Sequence, residues 1–305
     1  IDAIMTRENH ILAVGSIALD TIETSKGHRS NILGGSATYF GIAAALFAPV
    51  GLIGIVGDDF PESAIDLLKS RNIDLSNVQF KPGETFQWGG RYSSDYSSRE
   101  TLFTKLGVFE SFAPVVQCPE NQFTYLFLGN IQPELQASVN DMLSDSKVVI
   151  CDTMNLWINN NPDELKKVLK KVNIFLLNDE EALQLTNQAD LLSAADSLRK
   201  MGPQIVVIKM GAKGALLVDA SGSTSIPVYP HVTVLDPTGA GDTFAGGFIG
   251  HICRKGSDSL IDAVISGAAI ASFTVSGFGL EGLLKATQET LNERIKFIKQ
   301  SMDTG

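Results

Sequence analysis

The stretch of this chain best suited to chemistry is Asp236-Pro237-Thr238-Gly239-Ala240-Gly241-Asp242-Thr243-Phe244-Ala245-Gly246-Gly247-Phe248. Gly239-Ala240-Gly241 permits a tight turn whose amide hydrogens converge. A helix starting near Asp242 adds its unpaired amides and the positive end of its dipole. Such a nest holds an anion, or negative charge developing on a transferring group. The Asp242 carboxylate beside it can take the proton of an attacking hydroxyl. Helix N-capping explains an aspartate at this point equally well, and the residues alone leave both readings open.

Other phosphate-handling devices are missing. No GxxxxGK[ST] loop occurs, and Gly15-Ser16-Ile17-Ala18-Leu19-Asp20 offers one glycine where a dinucleotide fingerprint needs three. A few convergent amides are compatible with the acidic balance of the chain, 24 Lys and Arg against 34 Asp and Glu for a net charge of −10. That balance argues against duplex nucleic acid, whose binding needs clustered cations. Cys118, Cys151 and Cys253 show no metal-ligand spacing and no disulfide framework, which makes the cytoplasm the default compartment. The first ten residues are too polar for a secretory signal. The apolar run Gly41 to Gly57 is short and broken by Pro49 and glycines, so it reads as a buried helix passing into a strand, not as a membrane span.

The elements that must position the turn follow a strand–helix rhythm. Short apolar strands are expected at His10–Gly15, Val50–Val56, Phe123–Leu128, Val148–Cys151, Ile174–Leu177 and Ile205–Ile208. Helices are expected from Ser36, Pro133, Pro162, Asp179 and Leu191, and again from about Asp242, Ser259 and Leu284. A further helix is read after Pro61, with Asp59 as its cap. GALLVDA and STSIPVYP, after Lys209, read as a β-rich patch. Near-continuous apolar strands alternating with helices indicate a mostly parallel sheet covered on both faces. Asp20, Asp152, Asn178 and Lys209 fall at or just past strand ends, where open α/β sheets bind ligands. Two β-like runs between Glu84 and Phe112 interrupt the rhythm and read as a small β element standing off the main body.

On these residues the chain resembles the ribokinase-like (PfkB) carbohydrate kinase family. The 236–248 segment is similar to that family's C-terminal signature, Gly34-Gly35-Ser36-Ala37 to its N-terminal glycine motif, and the order of elements agrees from about Ile11 to Ile298. The resemblance implies a three-layer α/β/α ribokinase-like fold with a mostly parallel central sheet. It implies one domain over 1–305, with a small β lid from about 16–30 and 84–112. It further implies ATP and Mg²⁺ as cofactors, phosphoryl transfer to a hydroxyl of a small sugar-like acceptor, Asp242 as base, and Gly239, Ala240 and Gly241 as anion hole. Asn178 and Glu181 match the Asn-x-x-Glu motif, with Glu181 meeting Mg²⁺ through water; by themselves they read as an acidic first helical turn. Lys209, Gly211 and Gly214 match the nucleotide-side strand and turn, although Thr or Ser is commoner at Lys209, which can touch phosphate or pair with an acid. Ala268 to Val275 matches the adenine-side helix.

On the acceptor side, Asp20 matches the aspartate that binds substrate hydroxyls, and Gly34 and Gly35 allow close backbone approach. Trp88 and Tyr92 are candidates for substrate contact, or for lid structure. Sugar-phosphorylating members commonly carry Asn where this chain has Tyr39, and Asp152-Thr153-Met154-Asn155 follows the family's Asp-x-Asn segment only approximately. These departures leave a sugar, a polyol or a nucleoside open as acceptor, with a non-catalytic sugar- or nucleotide-binding protein as the rival reading. A potassium-like monovalent cation near the 232–238 turn and a homodimer through the lid are expected by family likeness, the latter also because sheet edges seek partners. No membrane or nucleic-acid partner is expected.

Overall fold

Ile11 and Ala13 point to one side of a strand and Leu12 and Val14 to the other, and all four are fully buried. That period of two, apolar on both faces, marks a strand covered on both sides. The computed structural model describes residues 10–117, 123–143, 147–256 and 259–303. The main sheet has nine strands. From one edge these are β13 (Gly222–Ile226), β12 (Ala215–Asp219), β11 (Ile205–Lys209), β10 (Ile174–Asn178), β9 (Val148–Asp152), β8 (Tyr125–Leu128), β1 (Ile11–Val14), β4 (Val50–Val56) and β5 (Ile73–Phe80). At the edge β12 pairs antiparallel with both β11 and β13, and every other pairing is parallel.

One core lies between the sheet and α1 (Ser36–Ala44), α2 (Glu62–Ser70), α8 (Ala240–Lys255), α9 (Leu260–Thr274) and α10 (Gln288–Asp303). The other core lies beneath α3 (Pro133–Met142), α4 (Asn155–Asn160), α5 (Pro162–Leu169), α6 (Asp179–Thr186) and α7 (Leu191–Lys200). This is the three-layer α/β/α arrangement. After β1 the chain builds outward through β4 and β5, then returns to β1's other side with β8. The reversal of strand order beside β1 creates a crevice at the strand C-termini, the usual ligand position in open α/β sheets.

A second sheet, ordered β3 (Gly27–Gly34), β2 (Ala18–Thr24), β6 (Gln87–Tyr92), β7 (Arg99–Lys105), stands at that end. Only β2 and β6 pair in parallel. Among the described residues no helix is long and apolar enough to cross a membrane; the 41–57 run is the end of α1 followed by β4.

The structure departs from the sequence expectations in several places. Asp59 does not cap α2, whose N-cap is Pro61; its carboxylate instead accepts from the Thr85 amide at 2.7 Å and hydroxyl at 2.6 Å. The helix expected from Leu284 starts at Gln288, after a short 3₁₀ turn at Leu283–Lys285. Gly107–Ser111 is 3₁₀ and not strand, and the last β strand ends at Ile226. Asp20 lies within β2 of the second sheet, not past a strand of the main one. β2, β3, β5 and α4 were not legible as elements. Cys118 and residues 1–9, which carry the reading against a signal peptide, lie outside the described residues.

α1 and α8 cross with nothing between them. A Cβ on Gly246 would stand 2.5 Å from the Phe40 carbonyl and 2.8 Å from the Ala43 methyl, and one on Gly250 would stand 2.8 Å from Phe47. Overfilling a close crossing forces backbone shifts. Gly246→Ala should therefore cost about 1–3 kcal/mol in urea unfolding, although alanine is the better helix former.

Candidate active site

The glycine pair before α1 is fixed by its neighbours. Gly35, the N-cap of α1, has φ of 92°, and its missing Cβ would stand 2.8 Å from the Ala18 amide. A Cβ on Gly34 would fall on the Asp20 carboxylate. Asp20 is buried in β2, and burial pushes its carboxyl up to about 7, with the Gly35 amide opposing and Asp236 and Asp242 adding to the rise. Trp88 pairs with Asp20 across β2 and β6, so both side chains share the face turned toward the main sheet. Tyr92 lies two pairs further along that face.

Across the crevice, α8 opens on Gly239 at φ of 74°, with no side-chain cap. Asp242 is thus the third residue of the helix, not its N-cap, which resolves the alternative left by the residues alone. Ala240 donates to the Pro237 carbonyl at 3.2 Å. Gly241 and Asp242 belong to the first turn, where an α-helix leaves its amides without intrahelical acceptors. A Cβ on Gly239 would enter the Tyr39 ring. Tyr39 is buried, and its hydroxyl has no hydrogen-bond partner. The turn before Gly239 is braced by buried Asp236, which accepts from the Thr238 amide at 2.9 Å and the Gly279 amide at 2.8 Å.

Lys209 resolves in favour of an acidic partner. Its ammonium meets Asp152 Oδ2 at 2.7 Å, and a Cβ on Gly241 would stand 3.2 Å from the same nitrogen. Burial alone would lower the Lys209 pKa, but Asp152 and then Glu181 outweigh it and the net shift is upward. Asp242 is driven to about 7, chiefly by desolvation and then by Asp152, with Lys209 opposing. Glu181 is buried and likewise pushed up to about 7 by desolvation, against Lys209 and with Asp152. Asn178 and Glu181 form a capping box: Asn178 Oδ1 accepts from the Glu181 amide and Glu181 Oε2 from the Asn178 amide, both at 2.8 Å.

The structure therefore brings Asp20, Gly34, Gly35, Tyr39 and Trp88 to one side of a crevice, and Gly239–Asp242, Lys209, Asn178 and Glu181 to the other. Tyr92 bridges the two sides, its hydroxyl accepting from Thr238 Oγ1 at 3.0 Å. Gly211 and Gly214 sit in the β11–β12 turn beyond Lys209; Gly214 faces the Ile226 carbonyl, and Gly211 has open space around it. Ala268 to Thr274 pack along α8, where Thr274 donates to Thr243 at 2.9 Å. Sequence reasoning named Asp152 without assigning it a partner and missed Tyr96, whose hydroxyl donates to the Val234 and Leu235 carbonyls at 3.0 and 3.2 Å. Neither pairing has a signal in local spacing.

Among the described residues no cluster of three or more His, Cys, Asp or Glu side chains forms a metal site. Magnesium carried on nucleotide phosphates needs only one or two protein carboxylates. Glu181 is a buried carboxylate of this kind, and the uncapped α8 terminus has first-turn amides that suit phosphate oxygens. The residues fit a magnesium nucleotide facing a hydroxyl acceptor.

The pfkB family carbohydrate kinase model matches residues 8–286. A cytidine kinase from Thermococcus kodakarensis is 32% identical over 250 residues, 80% of this chain and 88% of that protein. Methanocaldococcus jannaschii nucleoside kinase superposes with a TM-score of 0.78 at 20% identity, covering 95% of this chain and 99% of that one. Aminoimidazole riboside kinase from Salmonella enterica, solved with aminoimidazole riboside and an ATP analog, gives 0.72 at 20% identity over 94% and 100%.

Lys209→Met leaves Asp152 buried and unpaired and should cost about 3–5 kcal/mol in denaturant unfolding. The double variant Asp152→Asn/Lys209→Met should recover much of that loss. A single variant as stable as the parent would show the pair to be dispensable.

Proposed function

The chain belongs to the pfkB family of carbohydrate kinases, and we propose that its acceptor is a ribonucleoside phosphorylated on its primary hydroxyl by magnesium ATP. The observation that carries this reading is the pair of aromatic residues, Trp88 and Tyr92, on Asp20's face of the second sheet. Tyr39 stands where sugar-phosphorylating members commonly carry Asn. Aromatic rings suit a base, and a buried carboxylate suits ribose hydroxyls. The 32% identity to a cytidine kinase supports the same acceptor class.

In this reading Asp20 holds the ribose, Asp242 takes the proton of the attacking hydroxyl, and the hydroxyl oxygen attacks the γ-phosphorus as ADP leaves. The amides of Gly239 and Gly241 face the charge that develops on the transferred group, while the Ala240 amide, expected to join them, is held by the Pro237 carbonyl. Lys209 keeps Asp242 from rising further and lies at the edge of that turn. Asn178 and Glu181 border the phosphates, with Gly211 and Gly214 on the nucleotide side. Magnesium, when bound, neutralises charge shared by the β- and γ-phosphates. The second sheet serves as a lid that excludes water, a role supported by the hydrogen bonds of Tyr92 and Tyr96 to the 234–238 turn. A monovalent cation ordering that turn, a homodimer through the free edges of β3 and β7, and a cytoplasmic location belong to the same proposal.

ADP release with magnesium ATP, measured across cytidine, uridine, adenosine, inosine, ribose and fructose, should be largest for a nucleoside. Asp242→Asn should retain ligand binding and lose turnover by a factor on the order of 10²–10⁴; comparable kcat in that variant would remove Asp242 from the mechanism. Activity confined to free sugars would overturn the acceptor assignment.

Asp242 must be ionised to act as base, and its pKa is raised to about 7. kcat/KM should therefore fall as pH drops below about 7 and level off above it. Asp20 and Glu181 titrate in the same range, so the fall should be steeper than a single protonation gives. A flat profile between pH 5 and 8 would contradict the raised values.

A further inference from the structure

β6 and β7 pair with a bulge, and the bulge decides which charge faces the crevice. Trp88 pairs with Thr104 and Gly89 with Phe103, but Gly90 then pairs with Thr101, Arg91 with Glu100 and Tyr92 with Arg99. Leu102 is the extra residue. In unbroken register Glu100 would lie opposite Tyr92, on the face shared by Trp88, Gly90 and Asp20. The one-residue slip turns Glu100 to the outer face and Arg99 to the inner one. The outer face is electrically closed, with Arg91 meeting Glu23 at 2.7 Å and Glu100 at 3.4 Å. Arg99 has no ion-pair partner among the described residues, and its guanidinium lies 5.2 Å from the Trp88 ring centre. It is close enough to bear on Tyr92, Glu181 and Asp242, lowering each against the rise that burial imposes.

The charge balance of the crevice says what this cation is for. Asp152, Glu181 and Asp242 share one ammonium, Lys209, which Asp152 already holds, while Asp20 and Asp236 add their charge from Asp242's other side. A nucleoside triphosphate adds several more negative charges. The glycine turn and α8 would receive them from one side; on the second sheet Arg29, opposite Ile22, is held by Glu281, whereas Arg99, opposite Tyr92, has no such pair among the described residues. Building on the kinase reading above, we propose that Arg99, turned inward by the Leu102 bulge and held on Trp88, binds the γ-phosphoryl group from the second sheet, opposite the Gly239–Gly241 turn. A guanidinium suits this task, since its planar fork matches phosphate oxygens and its charge persists at every working pH.

The test compares Arg99→Met and Arg99→Lys with Arg91→Met, which breaks the outer-face pairs of the same sheet. Thermal unfolding first verifies that all three fold. Affinities for the β,γ-imido analogue of ATP and for ADP, each with Mg²⁺, are then measured without acceptor. Arg99→Met should lose about tenfold in the triphosphate-to-diphosphate affinity ratio, Arg99→Lys less, and Arg91→Met nothing. With an accepted substrate, kcat of Arg99→Met should fall by about 10²-fold, with partial rescue by added guanidinium. An unchanged affinity ratio in Arg99→Met overturns the proposal, as does a loss confined to acceptor KM, which would assign Arg99 to the acceptor. A parent enzyme that turns over no nucleoside would instead refute the acceptor reading, and the affinity ratio would still decide the role of Arg99.

Discussion

The close crossing of α1 and α8 is the constraint on which the crevice depends. With hydrogen in place of side chains at Gly246 and Gly250, the two helices touch backbone to side chain, and their N-termini converge on the same point. One N-terminus carries Gly35 and sits over Asp20; the other carries Gly239 and sits over Tyr39. The proposed acceptor and phosphate sides are therefore held by one helix pair inside the core. Fixed amides and dipoles need no reorganisation when charge appears between them, which is what electrostatic stabilisation of a transferring group requires.

Against that frame the carboxylates are held in an unfavourable state. Asp20, Glu181 and Asp242 are all displaced upward to about 7, mainly because burial penalises the ionised form. A raised pKa in the folded chain means that the ligand-free fold gains stability where these groups are protonated and loses it as pH rises through 7. Cationic ligands reverse the balance. A cation bound beside Glu181 would favour its ionised form.

The main sheet was readable because buried parallel strands are short, apolar and bounded by polar residues, as at Ile174–Asn178 and Ile205–Lys209. The glycine turn was legible because a tight turn opening a helix needs glycine at a fixed place, and Gly239 takes it at φ of 74°. β2 and β3 were not, since Asp20, Thr21, Glu23, His28 and Arg29 give them the polarity of a loop while their pairing supplies the strand. The Lys209–Asp152 contact spans 57 positions and joins the ends of two different strands, so no local pattern encodes it. Arg99 was hidden by register: alternation along 99–105 assigns faces correctly only once the bulge is known.

Tyr96 occupies the left-handed region at φ of 60°, a conformation that bulky residues adopt at a cost of about 1–3 kcal/mol. Its hydroxyl reaches Val234 and Leu235 from that position, while Tyr92 holds Thr238. Lifting the second sheet off the turn would break these bonds, expose their groups to water, and let Tyr96 relax. Strain released on opening offsets part of what the bonds contribute on closing, so the docked and lifted arrangements are drawn toward equal energy. If the second sheet is the proposed lid, such a balance would let a rate of breathing, and not a depth of binding, govern the traffic of reactants and products.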